Sequence, residues 1–139
     1  MFTFHGTSAN VASSLAAGGV SVALGGGELG LGFYTGEHLH EAKAWAVHQS
    51  GDRQRNVVMF DLPENELEQL SVTLLDHRTA ALRRAELKAS GQTRTFHFGV
   101  DMVWAPIVGS DRATGDQHKW ESATSEMLLN GPSTARTVV

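Results

Sequence analysis

The chain has 139 residues, 41% of them hydrophobic, with 11 basic against 15 acidic side chains and a net charge of −4. That length suits one domain able to bury roughly two-thirds of the surface its unfolded chain exposes, without staples. The absence of cysteine excludes disulfides, thiolate catalysis and cysteine-ligated zinc, and the acidic balance disfavours a broad phosphate-binding surface. Phe2 to His5 alternates as a short strand does, and Ser8 is placed to cap a helix over Asn10 to Ala17 that Gly18 and Gly19 end. A glycine-rich loop, Gly25 to Gly32, leads into a strand at Phe33-Tyr34-Thr35. Glu37 to His48 then reads as an amphipathic helix with Leu39, Ala42, Trp45 and Ala46 near one face, closed by Ser50-Gly51-Asp52. Asn56 to Leu62 is the clearest strand, Pro63 to Leu70 a short helical turn, and Ser71 to Leu75 a further strand. Arg78 to Ala89, rich in Ala, Leu, Arg and Glu, predicts a helix stopping at Ser90-Gly91. Strand signals from Phe96 to Val108 are interrupted by Gly99 and Pro106, which predicts two short pieces or a bulge. Asp116 to Trp120 completes the strands, Thr124 to Asn130 is helical, and residues 132–139 read as a disordered polar tail after a single domain spanning 1–131. With no internal repeat and no dividing linker, the expectation is one α+β domain.

No apolar run approaches the ~20 residues that a membrane-spanning helix needs, and the N-terminus lacks a basic start followed by an apolar signal core. A soluble chain is expected. Arg53 with Arg55, or Arg83 with Arg84, would be local basic patches, although such pairs ordinarily line a solvated face.

The chemistry-bearing residues gather in three places. His5-Gly6-Thr7 closes the first strand, Gly30-Leu31-Gly32-Phe33-Tyr34 opens the second, and Trp45 follows eleven residues after the tyrosine. A histidine, an aromatic ring and a glycine-permitted backbone can hold a flat polar ring such as nicotinamide. Its carboxamide wants one donor and one acceptor, which backbone at a glycine supplies without a clashing side chain. In that reading His5 bonds a ribose hydroxyl, Thr7 holds the neighbouring loop, Tyr34 stacks on the ring and Trp45 forms the other wall. Taken singly, each has a plainer reading: His-Gly-Thr as a strand end with a surface histidine, Tyr34 and Trp45 as core aromatics. The glycines of the loop suggest a phosphate cradle, but no Lys-Ser/Thr follows them and no strand–glycine–helix order fits a dinucleotide-binding turn. A metal reading of His38 with His40 fails on helix geometry, because i and i+2 face different sides, and no serine sits in a Gly-x-Ser-x-Gly elbow.

Together these motifs resemble the ADP-ribosyltransferase superfamily, in the branch shared by diphtheria toxin and the poly-ADP-ribose polymerases, and more closely its small bacterial members. In those, an acidic residue, an aromatic or apolar residue and a glycine precede Gly-Phe-Tyr, as Glu28-Leu29-Gly30 do here. Asp101 to Arg112 is similar to a core strand pair and loop of the family, and Gln117 to Ser122 to its last strand. The resemblance runs over about residues 2–129, with Ser71 to Thr95 matching only in helical character. It implies an α+β fold with a split pair of small mixed or antiparallel β-sheets, flanking helices and NAD in the cleft between the sheets. NAD would be the substrate, its nicotinamide–ribose bond broken through an oxocarbenium-like state, and ADP-ribose would pass to an acceptor.

The resemblance places His5 on a ribose hydroxyl, Gly6 on the carboxamide and Tyr34 against the nicotinamide, with Thr7, Gly32, Phe33 and Trp45 as further NAD-binding positions. The family's third signature residue is usually glutamate, and the matching position here is Gln117. A carboxylate there offsets positive charge growing on the sugar, whereas an amide gives only the hydrogen bond. Charged hydrogen bonds contribute about 1.5–3 kcal/mol against about 0.5–1.5 for neutral ones, so the change would slow turnover without abolishing binding. Asp116 and Glu121 flank Gln117, and a one-residue strand slip would present either instead. Otherwise both read as exposed strand-edge acids.

Three rival functions share these residues: an NAD glycohydrolase, a small transferase that modifies rifamycin-type antibiotics, and a noncatalytic NAD or ADP-ribose binding module. The last takes Gln117 as its best argument. With the first motif four residues from Met1, both a free-standing cytoplasmic enzyme and an excised toxin domain delivered into a target cell stay open. A toxin would bring a neutralising immunity or antitoxin partner. The acceptor would be protein, nucleic acid or small molecule, and no membrane partner is expected.

Overall fold

The computed structural model describes residues 1–51 and 56–139. The basic pair Arg53 and Arg55, and the Asp52 expected to help close the second helix, lie outside the described residues. Those described form seven strands and five helices, an α+β protein. They fall into two compact units, one of residues 1–20, 35–69 and 127–139, the other of residues 21–34 and 70–126.

The first unit centres on β1 (Phe2–Gly6), β3 (Val57–Asp61) and β7 (Ala135–Val138), paired antiparallel in the order β1-β3-β7 with registers such as Phe4↔Met59 and Met59↔Thr137. Strand β2 (Phe33–Gly36) adds to β1 through Gly36↔Phe4 and is shared between the units, its first two residues belonging to the other. Val57, Val58 and Phe60 make β3 a buried strand, as its β-branched and aromatic run requires. Helix α1 (Ala9–Ala16) starts where the Val11 N–H donates to Ser8 Oγ and buries Ala12 and Leu15 three residues apart. Helix α2 (Leu39–Ser50) buries Ala42 and Ala46, and α3 (Glu64–Leu67) is a single turn after Pro63. Helix α2 begins two residues later than expected because His38, in extended backbone, occupies its N-cap.

The second unit pairs β4 (Val72–Leu74) parallel to β5 (Met102–Pro106), and β5 antiparallel to β6 (Asp116–Trp120) with Ala105↔Gln117. Helix α4 (His77–Ser90) begins at the Asp76 cap, buries Ala80 and Leu87, and stops at Gly91. Leu29, Ala80, Val103 and Ala105 form its core, with Tyr34, Phe98 and Val108 packed around them. Helix α5 (Ala123–Asn130) starts where the Ser125 N–H donates to Ser122 Oγ at 3.0 Å, and it passes from one unit to the other after Glu126.

Two expectations are overturned. Phe96 to Val108 yields a single strand, because the Phe98 and Gly99 N–H groups donate to Glu121 instead of entering a ladder. The supposed disordered tail holds β7, whose backbone pairs with β3 and whose Arg136 bonds several carbonyls. Among the described residues no helix is long and apolar enough to cross a membrane.

Candidate functional site

The second unit holds Gly32, Phe33, Tyr34 and Gln117. The loop before β2 is cross-laced: the Gly27 N–H donates to Thr93 O at 3.1 Å and the Leu31 N–H to Phe96 O at 3.0 Å. Gly30, at φ +98°, lies where a Cβ would stand 2.3 Å from Phe96 O, so only glycine lets these segments close. Tyr34 returns onto the same loop, its hydroxyl donating to Gly30 O at 2.6 Å and accepting the Leu29 N–H at 3.1 Å. Its ring packs against Gly27, and desolvation by burial pushes the phenol well above its ordinary pKa. Tyr34 is therefore a neutral, half-buried ring that pins the loop. Phe33 is buried, and Gly32 abuts Lys119 and the Trp120 carbonyl.

On β6 the amide of Gln117 donates from Nε2 to Glu28 Oε2 at 2.7 Å and to Pro106 O at 3.2 Å. Both neighbours are acceptors, which fixes the amide's orientation and turns Oε1 away from them. Glu28 also accepts the Val108 N–H at 3.2 Å and the Gly109 N–H. One carboxylate thus joins the glycine loop, the segment after β5 and Gln117 of β6. The flanking acids serve elsewhere. Asp116 accepts from Trp104 Nε1 at 2.8 Å. Glu121, buried and not exposed at a strand edge, accepts the Phe98 and Gly99 N–H groups and pairs with the buried Lys119 at 3.2 Å. Burial lowers the Lys119 pKa, and the Glu121 charge opposes that shift.

His118 points to the opposite side of β6 from Gln117 and lies edge-on to Trp104, ring centroids 4.5 Å apart. Desolvation lowers its pKa to about 4, against a raising effect of Asp116.

The first unit holds His5, Gly6, Thr7 and Trp45. His5 is half-buried near the end of β1, opposite Val58. Gly6 has a structural reason to be glycine, since a Cβ there would stand 1.9 Å from the Ala42 carbonyl oxygen of α2. The Thr7 N–H donates to Asn56 O at 2.9 Å. Trp45 is 51% exposed and leans on His48 at 5.5 Å, so it is not the core aromatic that its type suggests. His38 and His40 stack at 5.3 Å between ring centroids, because His38 precedes the helix and escapes its spacing.

The residue that sequence reasoning passed over is Glu28, read as motif context and not as part of the site. The available signal was a carboxylate inside a glycine-rich loop, in a chain whose expected carboxylate was missing. Compared with known proteins, the chain matches no family model and no curated protein.

Proposed function

We propose that this chain is an NAD-dependent mono-ADP-ribosyltransferase, with the fold and NAD cleft of that superfamily and an acceptor still to be identified. The observation that carries the reading is the 2.7 Å bond between Gln117 and Glu28. It answers the objection that the third signature position lacks a carboxylate. Glu28, accepting the Nε2 proton, polarises the amide and makes Gln117 Oε1 a stronger acceptor for a ribose hydroxyl. Its negative charge, one side chain beyond Gln117, would offset positive charge growing on a sugar bound at that amide.

Each unit offers groups of the kind that a nicotinamide riboside uses. Gln117 Oε1 has no hydrogen bond among the described residues and would accept from a hydroxyl. Tyr34 offers a ring held by two hydrogen bonds, and His5 and Trp45 offer an imidazole and an exposed indole. NAD supplies the reactive bond to nicotinamide, and the chain supplies clamping, orientation and electrostatics. Gln117 would touch the substrate, whereas Glu28 would act through Gln117 as a positioning residue.

The test is to incubate pure protein with NAD and follow free nicotinamide and ADP-ribose, with and without cell extract. Release that requires extract is the expected result. Release without extract would make the protein a glycohydrolase, and NAD binding without release a binding module. His5→Ala and Tyr34→Ala should abolish release in folded protein. Glu28→Gln, which keeps a hydrogen-bonding partner but removes the charge, should slow release about tenfold or more, in line with the difference between charged and neutral hydrogen bonds. A Glu28→Gln variant releasing nicotinamide at the wild-type rate would remove the proposed role of the pair.

A further inference from the structure

Within the second unit a cavity of about 310 Å³ opens between the glycine loop, α4 and the segment at Thr93 and Arg94. Three of its lining side chains are cations, Arg84, Lys88 and Arg94, in a chain whose net charge is −4. Glu28 is the single acidic residue of the lining, and its carboxylate already accepts from Gln117 and from the Val108 and Gly109 N–H groups. Its remaining cation contact is distant, 3.9 Å to Arg84 Nε. The cavity is therefore positive on balance.

Arg84 and Lys88 stand four residues apart on α4, a spacing that puts two like charges side by side on one helix face and disfavours them without a counter-charge. Lys88 makes no ion pair among the described residues. Arg94 is held from one side, where it donates to Leu24 O at 2.8 Å, so part of its guanidinium fork is already ordered. Arg83, next along α4, is excluded from this set. It pairs with Glu86 at 3.2 Å and lies over the Phe96 and Phe98 rings. Two forked guanidiniums and one ammonium around a cavity of this size match an oxyanion with several equivalent acceptor atoms.

We propose that this cavity binds a phosphate-bearing ligand, with a diphosphate as the group that Arg84, Lys88 and Arg94 recognise together. The site owes nothing to a Lys-Ser/Thr loop, which this sequence lacks, and its cations come from α4 and from Arg94. It stands independently of the transferase reading, since a diphosphate binds whether or not nicotinamide is released.

The experiment titrates inorganic pyrophosphate into the full chain at constant ionic strength, following backbone amide resonances. Saturable shifts at Gly26, Gly27 and Thr93 are expected. Arg84→Gln and Lys88→Gln should each weaken binding about tenfold, the loss of one charge-assisted contact. Arg78→Gln, the same charge change at an exposed α4 position outside the cavity, should alter it less than about twofold, as an exposed charge acting through solvent does. No saturable shift, or equal losses in all three variants, would overturn the proposal, the second by showing only a general positive field. Lys88, exposed near the end of α4, provides the variant if Arg84→Gln fails to fold. Repeating the titration with NAD present separates the sources. Displacement assigns the cavity to a dinucleotide's diphosphate, and coexistence assigns it to a phosphate on a second ligand.

Discussion

His118 is kept neutral by its surroundings. Its imidazole is buried edge-on to Trp104, and its pKa of about 4 lies below the 6.5 of a solvated histidine. The folded state therefore binds fewer protons than the unfolded state between those values. The stability this confers is complete above pH 6.5 and is lost as pH falls towards 4. The gap corresponds to about 3 kcal/mol at most. Urea denaturation at pH 7 and pH 4.5 should show a smaller loss for His118→Phe than for wild type, and parallel losses would show that His118 contributes nothing. Gly6 makes a prediction of a different kind. A methyl group at 1.9 Å from the Ala42 carbonyl oxygen must push α2 off β1, so Gly6→Ala should cost about 3 kcal/mol by the usual scale of overpacking. That loss, measured with NAD absent, would show Gly6 to be demanded by packing before any ligand is considered. The sequence suggested glycine beside a ligand, and the structure supplies a reason that needs none. Such a distinction was illegible in the chain, because one glycine serves both purposes and only a neighbour 36 residues on, Ala42 of α2, decides between them.

At the scale of elements, Arg136 of β7 is the tie for two helix ends. Its guanidinium donates to Ala16 O of α1 at 3.3 Å, and to Leu129 O and Gly131 O at and beyond the end of α5, each at 2.9 Å. Cations are favoured at helix C-termini, where carbonyls lack intrahelical partners. Arg136→Met, which keeps the aliphatic stem, should cost about 1.5–3 kcal/mol in thermal or urea unfolding, the range for a charged hydrogen bond. An unchanged unfolding curve would contradict this role. Most elements were legible because their signals are local: the Ser8 cap, the β-branched run of β3, the alanine-rich α4. Strand β7 was not, since Ala-Arg-Thr-Val after Gly131-Pro132 reads as polar coil until β3 offers an edge to pair with. For the site, His5, Tyr34 and Gln117 could be singled out by type and spacing. Glu28 could not be matched to Gln117, because that bond joins residues 89 positions apart. The cationic cavity was hidden for the same reason, its side chains lying on separate stretches whose charges read singly as solvated surface.

For the whole molecule, much of the pairing is remote in sequence, as when β3 pairs both with β1 and with β7. Closing such contacts carries an entropic cost before they stabilise anything, which places this chain among slower folders than a helical bundle of equal length. The chain also passes between the two compact units four times, after Val20, Tyr34, Gln69 and Glu126. Every single cut therefore divides the unit made of residues 1–20, 35–69 and 127–139, and no cut leaves both whole. In genetic terms a recombination event with one crossover always splits the unit bearing His5, whereas one placed before Ser21 or after Glu126 leaves the other unit whole.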